Sequence, residues 1–249
     1  MEKVNFQNSR GLNLVGDFYP ADDDDRIVIM MHGFTGDRHE WGLFDRIAEE
    51  LQVAGNSVLT FDFSGSGESD DDSLALDKQV EDFYAVVKYV KSRGFENIGL
   101  HGHSFGGLVA LKGYSEDIAA MVLTAPVTNK VRYTWDKRYS AEQLAELREK
   151  GYITTLREEG VRKKFIIDKQ MLKDREAVDP EEILPNVKCP VLILHGAEDE
   201  RVPVDDSKEA INYLPLESEL RIIPGANHKF EKYVDTIVGK TVLWFNKYL

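Results

Sequence analysis

Gly102-His103-Ser104-Phe105-Gly106, with Gly107 behind it, decides how this chain is read. The apolar run Ile98-Gly99-Leu100 precedes it and predicts a buried strand, while Leu108-Val109-Ala110-Leu111 follows it and predicts a helix. A serine with glycines two positions away on either side, set between a strand and a helix, marks a sharp, strained turn that lifts the hydroxyl clear of the sheet. Side chains at the flanking positions would collide with the neighbouring strand and helix, so hydrogen atoms sit there instead. A flexible Gly/Ser loop would carry the same five residues, so the surrounding sequence has to separate the two readings.

Working outward, residues 4–8 and 12–19 alternate around Arg10-Gly11 and predict a hairpin. Arg26-Ile27-Val28-Ile29-Met30-Met31 is nearly continuous in apolar residues, as expected of a parallel strand buried on both faces. Residues 41–54 show helical spacing through Trp41, Phe44, Ile47, Ala48 and Leu51; residues 57–61 predict the next strand. Residues 77–92 place Val80, Phe83, Val86, Val87 and Val90 on one helical stripe. Strands are predicted again at 120–124, 190–194 and 219–223, with a closing helix over 230–247. Strands alternating with helices give an α/β class, with a mainly parallel sheet and helices on both faces. Ligands of such sheets bind beyond the carboxyl ends of the strands. The turn after residue 31, the turn at Ser104 and the loop after residue 194 all fall there.

Residues 127–185 break the pattern. Residues 141–150 and 153–164 are charged and predict helices, with Tyr133, Trp135, Tyr139, Tyr152 and Phe165 scattered among them. This segment reads as a small cap inserted over the strand ends, within a core formed by residues 1–126 and 186–249.

Composition narrows the function classes. The 249 residues carry a formal net charge of −13, which argues against nucleic acid or an anionic membrane as the main partner. The acidic runs Asp22–Asp25 and Asp70–Asp72 read as solvated loops without the spacing of a calcium site. The single cysteine, Cys189, precludes an internal disulfide and reads as a buried structural thiol. No signal-peptide pattern opens the sequence, and no apolar run approaches the roughly 18 residues of a membrane span, so the default address is the cytoplasm. No cluster has metal-ligand spacing, and the glycine-rich stretch 62–69 lacks the G-K-[ST] ending of a phosphate loop.

A serine hydroxyl is a weak nucleophile until a base takes its proton, and that base needs an orienting acid. Of the six histidines, His32, His101 and His195 lie in or beside apolar strands, His39 reads as exposed, and His103 sits inside the turn itself. His228, in the loop Pro224-Gly225-Ala226-Asn227-His228 before the last helix, remains as the base. Asp199, in the loop after strand 190–194, is the expected acid; Glu198, Glu200 and Asp205 compete, and spacing does not separate them. Negative charge developing on a carbonyl oxygen calls for backbone N–H donors. Phe105, at the start of its helix, and Phe34, within His32-Gly33-Phe34-Thr35-Gly36, are placed to supply them, with their side chains as pocket walls.

Together these motifs resemble the α/β-hydrolase superfamily of serine esterases: His32-Gly33-Phe34, Asp62-Phe63-Ser64-Gly65-Ser66-Gly67, Gly102–Gly107, Asp199 with Val202-Pro203, and Gly225–His228 run in family order. The resemblance implies an eight-stranded sheet whose first hairpin is antiparallel. The segment after residue 125 is similar to the small cap of cinnamoyl (feruloyl) esterases and of monoacylglycerol-lipase-like enzymes. The expected activity is hydrolysis of small acyl or aromatic acyl esters through Ser104, His228 and Asp199, without a cofactor, and with Phe34, Phe105, Trp135 and Tyr139 against the substrate. Thioesterase, acyltransferase and peptidase chemistry use the same triad, and a binding-only scaffold is the rival from another class. The oligomeric state is left open, a homodimer included.

Overall fold

The apolar runs become strands whose side chains alternate between two cores. The computed structural model describes residues 1–22, 25–158 and 160–249; Asp23 and Asp24 of the first acidic run lie outside the described residues. The strands are β1 (Glu2–Gln7), β2 (Asn13–Tyr19), β3 (Arg26–Met31), β4 (Ser57–Phe61), β5 (Ser73–Leu74), β6 (Asn97–His103), β7 (Ile118–Thr124), β8 (Tyr152–Leu156), β9 (Lys164–Asp168), β10 (Val191–Gly196) and β11 (Glu219–Ile223). The helices are α1 (Leu43–Val53), α2 (Leu76–Ser92), α3 (Phe105–Lys112), α4 (Ala141–Lys150), α5 (Lys169–Glu176), α6 (Pro180–Ile183), α7 (Val204–Ala210) and α8 (Val234–Tyr248).

Eight strands form one sheet in the order β1-β2-β4-β3-β6-β7-β10-β11. β1 and β2 pair antiparallel, β2 joins β4 antiparallel, and the other pairs are parallel. Both the eight-stranded sheet and its antiparallel hairpin therefore stand as expected. Along β3, Ile27, Ile29 and Met31 pack into one core with Phe83, Val86 and Val90 of α2 and Leu108 and Val109 of α3. Val28 and Met30 face the opposite core with Phe44 and Ile47 of α1 and Trp244 and Phe245 of α8. This two-residue alternation between two apolar faces is why residues 27–31 carry no polar side chain.

Register levels the strand ends. Met31 pairs with Gly102, His103 with Thr124, Leu194 with Thr124, and Gly196 with Ile223. The loops after β3, β6, β10 and β11 consequently emerge along one edge of the sheet.

The segment between β7 and β10 departs from expectation in part. Residues 141–150 form α4, with a Ser140–Gln143 capping box at its start and Gly151 in the left-handed region at its end. Residues 153–164 are not helical: β8 and β9 form an antiparallel hairpin, closed by the Arg157 N–H donating to the Lys163 carbonyl at 2.9 Å. The Ile-Thr-Thr run of β8 suits a strand, and the charges that suggested a helix fall in its turn. β9 also pairs parallel with β5, joining this segment to the loop before α2. That loop carries the second acidic run, which is more anchored than a solvated loop: Asp72 pairs with Lys78 at 2.6 Å, and the Asn13 N–H donates to Asp70 at 2.7 Å.

Candidate active site

The glycines around Ser104 are required by close packing. A Cβ on Gly106 would lie 2.1 Å from the Met31 carbonyl oxygen, and one on Gly102 would lie 2.7 Å from Gly107 Cα. The collisions anticipated from sequence are thus with β3 on one side and the start of α3 on the other. Ser104 itself takes φ 53° and ψ −114°, a conformation that costs about 1–3 kcal/mol for a non-glycine residue. Its backbone N–H donates to the Thr124 carbonyl at 2.9 Å, and its carbonyl accepts from Val127 at 3.0 Å, which pins the turn to the end of β7.

Ser104, His228, Phe34 and Phe105 line one cavity of about 1000 Å³. His228 is buried, and its Nδ1 lies 2.7 Å from Asp199 Oδ2. Asp199 Oδ1 accepts the backbone N–H groups of Arg201 and Val202 at 2.8 and 2.9 Å. The Asp199 side chain has no solvent exposure. Burial opposes its charge, but hydrogen bonds from His195 and His228 outweigh burial and hold it well below the usual carboxylate range. No hydrogen bond joins Ser104 Oγ to His228 among the described residues; catalytic contacts of this kind commonly tighten only when substrate arrives.

The competing acids separate clearly. Asp205 is exposed and pairs with Lys208 at 2.7 Å. Glu198 is exposed, and Glu200 accepts the backbone N–H of His228 at 3.3 Å, not its imidazole.

The remaining histidines depart in part from what their positions suggested: His39 is half-buried rather than exposed, lines the cavity and lies 2.8 Å from Asp45, and neither ring nitrogen of the buried His101 has a hydrogen-bond partner among the described residues. His32 Nε2 accepts from the Phe63 N–H at 3.2 Å. His101 packs edge-on to Phe44, and burial pushes its imidazole down to about 3. His195 does more than was read from sequence. Its Nε2 lies 3.2 Å from Asp199 Oδ2, the same oxygen that His228 contacts, and its Nδ1 lies 2.7 Å from Ser207 Oγ, so it helps to hold the Asp199 carboxylate in place.

A family model described as the Alpha/beta hydrolase family matches residues 28–235. The chain belongs to this family.

Among relatives of this hydrolase, a monoglyceride lipase homolog of monkeypox virus is 25% identical over 240 residues, covering 85% of this chain and 84% of that protein. A monoacylglycerol lipase of Mycolicibacterium smegmatis is 25% identical over 260 residues, covering 90% and 89%. Among solved structures, Est1E of Butyrivibrio proteoclasticus with bound ferulic acid superposes with a TM-score of 0.79 at 22% identity over 98% of both chains. The α/β hydrolase GrgF of Penicillium superposes with a TM-score of 0.82 at 20% identity over 99% and 98%.

The rest of the hydrolase's cavity is built by the turn after β3 and by the segment between β7 and β10. The Phe34 and Phe105 rings meet edge to face at 5.8 Å. Neither residue's backbone N–H has an acceptor among the described residues. Trp135 and the buried Tyr139 reach the cavity from that segment, their rings 6.0 Å apart.

Two features escaped the sequence reading. Glu40 is buried behind the turn, where one carboxyl oxygen accepts the Gly33 N–H and the other has no partner. Burial pushes this carboxyl up to about 8, against the Gly33 hydrogen bond and with help from Asp37. Arg138, Arg157 and Arg175 also line the cavity. Nothing in the primary pattern marked these residues, because the fold alone brings them together.

Cys189 is buried, and burial pushes its thiol up to about 12, which fits the structural role expected of it. The glycine-rich stretch after β4 wraps a carboxylate rather than a phosphate: a Cβ on Gly67 would lie 2.2 Å from the Asp62 carboxyl group, and Asp62 accepts from Arg38 Nη1 at 2.7 Å. No group of three metal-binding side chains occurs among the described residues, and no helix among them is long and apolar enough to cross a membrane.

Proposed function

We propose that this alpha/beta hydrolase is a serine esterase that cleaves carboxylic esters of small acyl or aromatic acyl groups. The observation that carries the reading is Ser104 on a strained turn, in one cavity with a His228 whose Nδ1 lies 2.7 Å from the fully buried Asp199 carboxylate. Relatives named as lipases and esterases, and a neighbour that binds ferulic acid, support the same chemistry.

In this mechanism Asp199 accepts the Nδ1–H of His228, leaving Nε2 free to take a proton. His228 removes the Ser104 proton as Oγ attacks the ester carbonyl, and the Phe34 and Phe105 N–H groups receive the negative charge on the carbonyl oxygen. The alcohol leaves with the proton from His228, and Ser104 holds the acyl group. Water, deprotonated by His228, then attacks the acyl carbon, and the acid departs as Ser104 recovers its proton. Residues 127–185 act as a cap that contributes Trp135 and Tyr139 as walls. The lone buried thiol suits a cytoplasmic setting.

Hydrolysis of 4-nitrophenyl esters from acetate to long chains, and of methyl ferulate, by wild type and Ser104→Ala tests this. A loss of several orders of magnitude in the variant is expected. Turnover that survives the substitution places the nucleophile elsewhere.

A further inference from the structure

The cavity is cationic although the protein is not. Its 249 residues carry 44 Asp and Glu against 31 Lys and Arg. Yet Arg138, Arg157 and Arg175 line the cavity, and none of them has a carboxylate partner among the described residues. Two are attached to the very turn that carries Phe34. The Arg138 guanidinium lies 5.8 Å from the Phe34 ring centroid, and Arg157 Nη2 donates to the Thr35 hydroxyl. Arg175 Nη1 donates to the Asn129 carbonyl at 3.1 Å, and its nearest compensating carboxylate, Asp206, acts on it only from beyond ion-pair distance. Burial, then repulsion from Arg201 and Arg138, pulls the Arg157 guanidinium below its ordinary value. Burial holds Arg175 down to about 10.

Three acidic side chains, Asp37, Glu40 and Glu158, line the same space, with the Glu40 carboxyl pushed up to about 8 by burial, and Arg162, Arg201 and Lys229 reach it already paired with Asp71, Glu200 and Glu231. The three unpaired guanidiniums still leave an excess of positive charge beside the turn. Like charges in excess of their counter-charges repel one another, and a bound anion relieves the repulsion while gaining charge-assisted hydrogen bonds.

The geometry points to an ester that carries its own negative charge, a carboxylate or phosphate group near the scissile bond, held by Arg138, Arg157 and Arg175. This assignment of substrate class rests on the esterase reading above. It predicts that the anionic group supplies selectivity and the apolar walls supply the remainder of binding.

Two matched substrate pairs and one binding measurement test it. The first pair is monomethyl glutarate against methyl 5-methylhexanoate, which replaces the carboxylate by an isopropyl group of similar shape. The second is 1-butyryl-glycerol 3-phosphate against 1-butyrylglycerol. At low salt kcat/KM should favour an anionic member by about tenfold or more, the worth of one hydrogen bond to a charged group, and the preference should shrink in 0.5 M salt. The pair that shows it distinguishes a carboxylate on the acyl side from a phosphate on the alcohol side. In an Arg138→Gln/Arg157→Gln protein the anionic-to-neutral ratio should fall towards one; damage to the turn alone would depress both substrates and leave the ratio intact.

Tryptophan fluorescence of Ser104→Ala titrated with glutarate and with glutaramide reads binding without turnover. Glutarate binding that weakens in the double arginine variant upholds the anion site even if no ester is cleaved, an outcome that would sink only the esterase reading. Ester turnover with equal preference for both members of each pair, and no binding of glutarate, overturns the anion assignment and leaves the esterase reading standing.

Discussion

Glu40→Gln should make the protein more stable, and increasingly so as pH rises. Glu40 is 2% exposed, accepts the Gly33 N–H, and has its carboxyl pushed up to about 8 by burial. In the unfolded chain the same group titrates at 4.5. Below that pH both states hold the proton and the group is neutral in its effect. Between 4.5 and about 8 the unfolded chain gives up the proton while the folded protein keeps it, so stability falls as pH rises. Above about 8 both states are ionised and the loss is complete. Each pH unit inside the window is worth about 1.4 kcal/mol, so the whole effect amounts to a few kcal/mol. Glutamine keeps an oxygen for the Gly33 N–H and has no proton to lose. The measurement is urea unfolding of wild type and variant at pH 5, 6.5 and 8. The stability of Glu40→Gln relative to wild type should climb by about 2–4 kcal/mol across the series. A difference that stays flat with pH would refute the reasoning, because it would mean that Glu40 titrates alike in both states.

Three further outcomes are expected. Gly106→Ala places a methyl group 2.1 Å from the Met31 carbonyl oxygen, a backbone atom that cannot move without shifting β3; denaturation should show a loss of about 3 kcal/mol. Asp199→Asn removes the acceptor of His228 Nδ1, so kcat on 4-nitrophenyl acetate should fall by about 10³–10⁴ with the circular dichroism spectrum preserved. Cys189 should react with Ellman's reagent at pH 8 far more slowly in the native protein than in guanidinium chloride, since its thiol is buried and pushed up to about 12; rapid native labelling would contradict the packing around it.

The core of the fold was legible because each parallel strand must be apolar on both faces and each covering helix on one. β3 and α2 announce themselves by period alone. Ser104 was legible through its glycines, whose absent side chains answer to specific backbone neighbours. His228 followed by elimination and Asp199 was the expected acid, but spacing did not separate it from Glu198, Glu200 and Asp205; the fold places Asp199 against His195 and His228 and leaves the other three exposed. The β8–β9 hairpin was missed because its pairing with β5 is a long-range contact, and local charge in its turn outweighed the β-branched signal. Glu40 was missed for a similar reason, since a charged residue reads as surface until tertiary structure encloses it; Arg138 and Arg157 stay exposed and Arg175 half-buried, and only the fold brings the three to one cavity.

The central claim is that Ser104 is a nucleophile activated by His228. Mass-spectrometric mapping after treatment with a fluorophosphonate probe tests it most directly. A single adduct on Ser104, lost on heat denaturation and greatly slowed in His228→Ala, is the predicted result. No adduct on the native protein, or one on a different serine, would contradict it.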